Sequence, residues 1–255
     1  MLNIVYPYYT NKSLLLDQLK RWCEYSDFVK SNINIIIVDD GSPHSEAHHI
    51  ITTSEHKPNI PITLLKINED ILWNTAGSRN LGMHYIQNKN GQDAVVFLSL
   101  MDAILPEDTI VSILKDKHEL NLKKCIYKLK RRDIYSKEVF HEHHSLLLLT
   151  PASYFSVGGL DEDFSGAYGH DDDLFMFTIK KYTNLEVKTL DCFVEQYQQG
   201  PEERFDYEYK FNSDRDHRIN ISRNRQILQH KTQQTFDQLL SSKNIRFEWN
   251  TITSN

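Results

Sequence analysis

The chain has 255 residues, of which 40% are hydrophobic, 25% charged and 11% aromatic, the composition of a globular protein with core enough for one large or two small domains. Lys+Arg 29 against Asp+Glu 35 leaves a net charge of −6, which argues against a general electrostatic footprint for nucleic acid. No apolar run approaches the ~20 residues that a membrane-spanning helix needs.

The first half alternates strand-like and helix-like segments. Leu2 to Tyr6 reads as a short strand ending at Pro7. From Ser13, a plausible cap, Leu15, Leu19, Trp22 and Cys23 share one helical face. Ile33 to Val38 is a β-branched run, as expected of a strand buried on both faces, and it ends in the turn signal Asp39-Asp40-Gly41-Ser42-Pro43. Residues 45–53 read weakly as helix, Ile62 to Lys66 as a third strand, Thr75 to Gln87 as helix and Ala94 to Leu98 as a fourth strand. This alternation implies a mainly parallel, Rossmann-like sheet, with ligands expected beyond the carboxyl ends of its strands, where Asp39, Asp40 and Asp102 fall.

The second half is less regular. Residues 125–149 read as two or three strands, Pro151 to Val157 as a short helix and Asp171 to Tyr182 as a longer one. The polar, aromatic segment 191–219 reads as a loop able to close over a site, and Ile221 to Leu240 as a helix. Cys23, Cys125 and Cys192 lie far apart without metal-type spacing. With an amino terminus that enters a strand pattern directly, they point to reduced thiols, no signal peptide and a cytoplasmic setting.

Three segments of the first half bear on chemistry. Asp39 and Asp40 leave a buried strand, either as an Asx-type turn or as carboxylates that accept from a base or ribose. Trp73 to Gly82 carries Arg79 with Asn80 and Gly82 in register; Arg79 is either a solvated helix residue or a planar donor fork for a base or diphosphate. Asp102 stands alone in Phe97-Leu98-Ser99-Leu100-Met101-Asp102.

In this order the segments resemble family 2 glycosyltransferases and related members of the GT-A fold. In those, an amino-terminal strand with Pro and an aromatic, here Val5-Tyr6-Pro7-Tyr8-Tyr9, precedes a Val-Asp-Asp-Gly-Ser turn and a Gly-x-x-x-Ala-Arg-Asn-x-Gly segment. The resemblance implies a nucleotide pocket lined by Pro7 and Tyr8, with Asp39, Asp40 and Arg79 at the donor nucleotide and Asp40 on the base. Asp102 occupies the slot of the family's Asp-x-Asp motif, whose carboxylates hold Mn²⁺ or Mg²⁺ against the donor diphosphate. One carboxylate stands where two are expected, so metal dependence, metal independence and inactivity are all open readings. A late His217 falls where related enzymes often supply a metal ligand.

Residues 158–175 carry six carboxylates among turn-forming glycines and then enter a helical pattern. Asp171, Asp172 and Asp173 could simply cap that helix and complement its dipole. The run also resembles the carboxyl-terminal acidic segment of galactosyltransferase-type enzymes. That resemblance implies Asp171 as the catalytic base, with Tyr168, Gly169, His170 and Asp172 at the acceptor; Tyr168 either stacks on a sugar or is packed. His141 and His143 share a strand face, as solvated residues or as a metal site. Lys128, Lys130, Arg131 and Arg132 read as a solvated hairpin.

The expectation is a single α/β domain of the GT-A type, with a Rossmann-like nucleotide-sugar half (1–106), a mixed central sheet and an acceptor half (107–255). The expected reaction is inverting transfer of a sugar from a nucleotide-diphosphate sugar to a glycan hydroxyl. A pseudo-transferase that binds nucleotide or glycan without turnover is the second reading. A sugar nucleotidyltransferase ranks last, because no Gly-rich signature with a following Arg stands near the amino terminus.

Overall fold

A computed structural model describes residues 1–44, 46–116, 118–196, 222–241 and 244–252. The first strands and helices are β1 (Leu2–Tyr8), α1 (Lys12–Glu24), α2 (Asp27–Lys30), β2 (Ile33–Asp39), α3 (Ala47–Thr53), β3 (Ile62–Ile67), α4 (Thr75–Asn90) and β4 (Val96–Leu98). Then come β5 (Ala103–Ile104), α5 (Glu107–Asp116), β6 (Cys125–Asp133), β7 (Val139–Phe140), β8 (Leu147–Leu149), α6 (Pro151–Phe155), α7 (Asp171–Tyr182) and β9 (Glu186–Gln196). A helix over 222–231 (α8), α9 (Phe236–Leu240) and β10 (Trp249–Ile252) follow.

The ten strands of the described residues form one mixed sheet, in the order β10-β3-β2-β1-β4-β8-β6-β9-β5 with β7 on β6. Strands β3, β2, β1 and β4 are parallel neighbours. β8 is antiparallel to both β4 and β6, while β6 and β9 run parallel.

The β-branched run of β2 is continuous because both faces of the sheet are covered. Ile35 and Ile37 join Leu15, Leu19 and Trp22 of α1 on one face, while Ile36 and Val38 join Leu81, Met83 and Ile86 of α4 on the other. Each such side chain, once buried, contributes about 1.5–3 kcal/mol. Helix α4 sits close to the sheet because Gly82 has no side chain: a Cβ there would lie 2.6 Å from Val5 Cγ1.

Several elements differ from expectation. β1 does not stop at Pro7 but runs to Tyr8, paired with β2. Asn3 N bonds Val95 O and Val5 O accepts from Ser99 N, so odd-numbered residues of β1 face the β4 side. β4 has ended by Leu98, so the missing N–H of Pro7 points where the ladder is already over. Asn11, not Ser13, caps α1, accepting from Leu14 N at 3.1 Å.

The helix expected over Ile221 to Leu240 is two helices, because Thr235 starts the second with a capping box to Gln238. Residues 191–196 of the expected closing loop belong to β9; the rest of that loop, with His217, lies outside the described residues.

Candidate active site

The exits of β1, β2 and β4 open on one side of the sheet, where parallel strands leave unpaired ends for a ligand. At the β2 exit Asp39 is buried, its Oδ1 accepting from Ser42 N at 3.0 Å and Oδ2 from Ala47 N at 2.8 Å. Both oxygens therefore hold the turn into α3, as in the Asx-type alternative. Burial pushes the Asp39 carboxyl up, against the hydrogen bonds from Ser42 and Ala47. The turn needs Gly41 at φ +67°, with Glu69 O where a Cβ would stand.

Asp40 faces a different way. It lines a cleft of about 220 Å³ with Pro7, Tyr8, Tyr9, Leu14 and Met101. Its Oδ2 accepts from the Asn74 backbone N–H at 3.1 Å and its Oδ1 from Asn74 Nδ2 at 3.0 Å. Burial pushes its carboxyl up to about 7, although the Asn74 bonds oppose that shift. Asn74 also caps α4, its Oδ1 accepting from Gly77 N at 3.2 Å.

Arg79, on α4, is neither a solvated helix residue nor a wall of that cleft. It is 1% exposed, donating from Nη2 to Ser99 O at 3.2 Å, and among the described residues its Nε is buried without a hydrogen-bond partner. Burial pulls the guanidinium down from the usual arginine range, and the carboxylates of Asp171, Asp172 and Asp102 oppose that pull. The next residue, Asn80, is also buried. It bonds Leu160 O at 2.8 Å and Glu162 Oε1 at 2.8 Å, and accepts from Leu160 N at 3.0 Å, fixing the glycine-rich loop to α4.

A second cleft, of about 730 Å³, also has Asp102 in its lining. Its lining includes Tyr168, Gly169, His170, Asp171, Asp172 and His143. Trp73, Thr75, Leu100 and Asp102 line both clefts, so the two cavities share a wall. The fold thus brings Asp40, Asp102 and Asp171 to one continuous surface.

The start of α7 is organised by cross-bonds. His170 adopts φ +73° before the helix, and its Nδ1 lies 2.8 Å from Asp173 Oδ2. Ser145 Oγ donates to Asp172 Oδ2 at 2.9 Å, and His143 Nδ1 lies 3.7 Å from the same oxygen. Burial pushes the Asp171 carboxyl up to about 6, aided by the Asp172 charge and opposed by Arg79. Burial lowers His143, against the pull of Asp172.

Sequence reasoning missed the supports of this cleft. The Asn224 side chain, fully buried on α8, donates to the carbonyls of Phe164, Ala167 and Gly169 at 3.2, 3.0 and 2.9 Å. Trp73, at φ +51°, sets its ring edge-on to Tyr168 with centroids 5.1 Å apart. Tyr168 is 42% exposed. His141 and Glu142 are exposed and belong to no strand, in the stretch between β7 and β8. The expected solvated hairpin is β6 and β7, and its partly exposed basic residues are ion-paired: Lys130 with Asp191 and Arg132 with Glu195.

No family model matches this sequence, and no curated protein does. Solved structures do. S. aureus TarS 1-349 in complex with UDP-GlcNAc is similar over 80% of this chain and 60% of that one, with a TM-score of 0.59 and 13% identity. The mannosyltransferase PcManGT from Pyrobaculum calidifontis, in complex with GDP-Man and Mn²⁺, is similar over 78% of this chain and 58% of that one, with a TM-score of 0.56 and 15% identity.

The fold is GT-A. The chain spans about three-fifths of the length of each of these two GT-A proteins. Among the described residues, this GT-A chain has no helix long and apolar enough to cross a membrane.

The donor set for a divalent cation is thin. Asp102 is one carboxylate, and its Oδ2 accepts from Gln196 Nε2 at 2.9 Å. Among the described residues no three His, Cys, Asp or Glu side chains converge as a cation site. A hard cation such as Mn²⁺ or Mg²⁺ takes about six oxygen ligands. The described residues alone do not fit it.

Proposed function

We propose that this chain is an inverting, hexosyl-type glycosyltransferase that moves a sugar from a nucleotide-diphosphate donor to a hydroxyl of a glycan. One observation carries the reading. A carboxylate tuned to about 6, Asp171, lines a cavity that shares the Trp73–Asp102 wall with the cleft beside Asp40. A base whose pKa lies near the working pH is suited to taking a proton from an attacking hydroxyl.

In this reading Pro7, Tyr8 and Asp40 bind the nucleotide, and Asp39 shapes the turn that presents Asp40. Asp102 faces the diphosphate. Tyr168, Gly169, His170 and Asp172 hold the acceptor. The acceptor O–H gives its proton to an Asp171 oxygen as its own oxygen bonds to the anomeric carbon. The bond from that carbon to the diphosphate oxygen breaks, and the nucleoside diphosphate leaves with the electron pair. Arg79 lies behind the cleft walls and tempers the charge of Asp171 and Asp172 rather than touching the nucleotide. No step is assigned to a cation. Where one binds, Asp102 and diphosphate oxygens would ligate it and it would offset charge on the leaving group.

The reading treats the chain as one domain with a nucleotide half and an acceptor half, in a reducing, cytoplasmic setting. The test is a panel of nucleotide sugars, headed by UDP and GDP sugars, scored for binding and turnover with Mn²⁺, Mg²⁺ or chelator. Turnover that disappears in Asp171→Asn supports the transferase. The single carboxylate at Asp102 favours one other reading, a binding protein without turnover. Nucleotide binding with no hydrolysis or transfer across the panel would select it.

A further inference from the structure

Leu72, Trp73 and Asn74 each hold one residue of the acceptor-side loop. Gly166 N donates to Leu72 O at 2.6 Å, the Trp73 ring meets the Tyr168 ring, and Ser165 Oγ donates to Asn74 Oδ1 at 2.7 Å. Asn74 is 1% exposed, and its side chain reaches both ways, with Nδ2 on Asp40 and Oδ1 on Ser165.

We propose that Asn74 is a positioning residue that couples the two clefts, so that a nucleoside diphosphate bound against Asp40 orders the acceptor-side loop 165–168. This rests on the reading of the Asp40 cleft as the nucleotide site. The physical reason is the planarity of a carboxamide. Its nitrogen and oxygen turn together, so a rotation that changes the Asp40 contact also changes the Ser165 contact. Trp73 sits between the clefts at a left-handed φ that a bulky residue adopts only when its surroundings over-determine it. Here those surroundings are its neighbours' bonds to the opposite loop. A ligand that bonds Asp40 favours one orientation of the Asn74 amide, and with it one position of Ser165 and Gly166. Coupling of this kind is a difference in affinity between two states of a packed element, and it acts in both directions.

The Gly166 amide hydrogen reports the state of the loop directly. The experiment is residue-resolved hydrogen exchange on the full chain, with and without saturating UDP, GDP, ADP or CDP, alongside calorimetric nucleotide affinity. In the unsubstituted protein, a nucleotide that binds slows Gly166 exchange about fivefold or more, the lower end of ordinary coupling. Ser165→Ala still binds that nucleotide, with an affinity changed by no more than the coupling factor itself, but loses the slowing. Asn74→Ser, which keeps a side-chain oxygen to cap α4, loses it too.

Slowing that persists in both variants overturns the coupling and leaves the nucleotide site standing. So does binding without slowing in the unsubstituted protein. Failure of all four nucleotides to bind removes the nucleotide reading, and the coupling falls with it.

Discussion

Arg79 Nη2 donates to Ser99 O at 3.2 Å, joining the second turn of α4 to the exit of β4 in the field of Asp171, Asp172 and Asp102. A charge so placed acts on the carboxylates around it. Without the guanidinium, Asp171 keeps its burial and its repulsion from Asp172 but loses the opposing charge. Arg79→Met is therefore expected to move the acidic limb of the pH–rate profile above about 6, the value with Arg79 in place. Nucleotide affinity should change less than about threefold, a small free-energy difference. A large loss of nucleotide binding without a shifted limb would return Arg79 to the donor.

Asp171→Asn keeps shape and removes the carboxylate proposed as the base. Turnover should fall about 10²–10⁴-fold while donor affinity is retained. In the unsubstituted protein, turnover should decline as pH drops through about 6, because the carboxylate proposed to accept the proton is then already protonated. Steady-state rates between pH 5 and 8 check both statements.

Asp40 carries a folded-state pKa of about 7 against 3.8. A carboxyl raised in this way binds its proton more tightly folded than unfolded. Its stabilising contribution is complete below 3.8 and is lost as pH rises towards about 7. Asp40→Asn, which cannot ionise, should gain stability relative to the unsubstituted protein between pH 5 and pH 8. Paired melting curves at the two pH values measure this, and a difference that shrinks with pH would contradict the buried charge.

Gly82→Ala tests the approach of α4 to the sheet. A helix-interior alanine gains about 1 kcal/mol in propensity, yet its Cβ would stand 2.6 Å from Val5 Cγ1 in a β-branched strand. Overpacking of this kind costs about 1–3 kcal/mol, so the variant should be less stable in urea titration. Greater stability would mean that α4 lies further from β1.

The parts that were legible are those where local chemistry and burial agree. The Ile33–Val38 run announced a strand covered on both faces, and the acidic start at Asp171 with the apolar pattern behind it marked α7 to its last residue, Tyr182. Where burial is partial the pattern fades. β9 is half-exposed along most of its length and reads as polar chain, and β10 pairs at the sheet edge through the short run Trp249–Ile252.

By itself the sequence determined the parallel core, the carboxylates at strand exits and the order of motifs, because these follow from side-chain periodicity and turn chemistry. Tertiary structure alone decided what each acid contacts. Asp39 and Asp40 are adjacent, yet one is tied to its own turn while the other meets Asn74, 34 residues away. Asn74 in turn meets Ser165 across 91 residues. Such contacts depend on how sheet and helices stack in space, and a linear pattern of residue types carries no record of that distance.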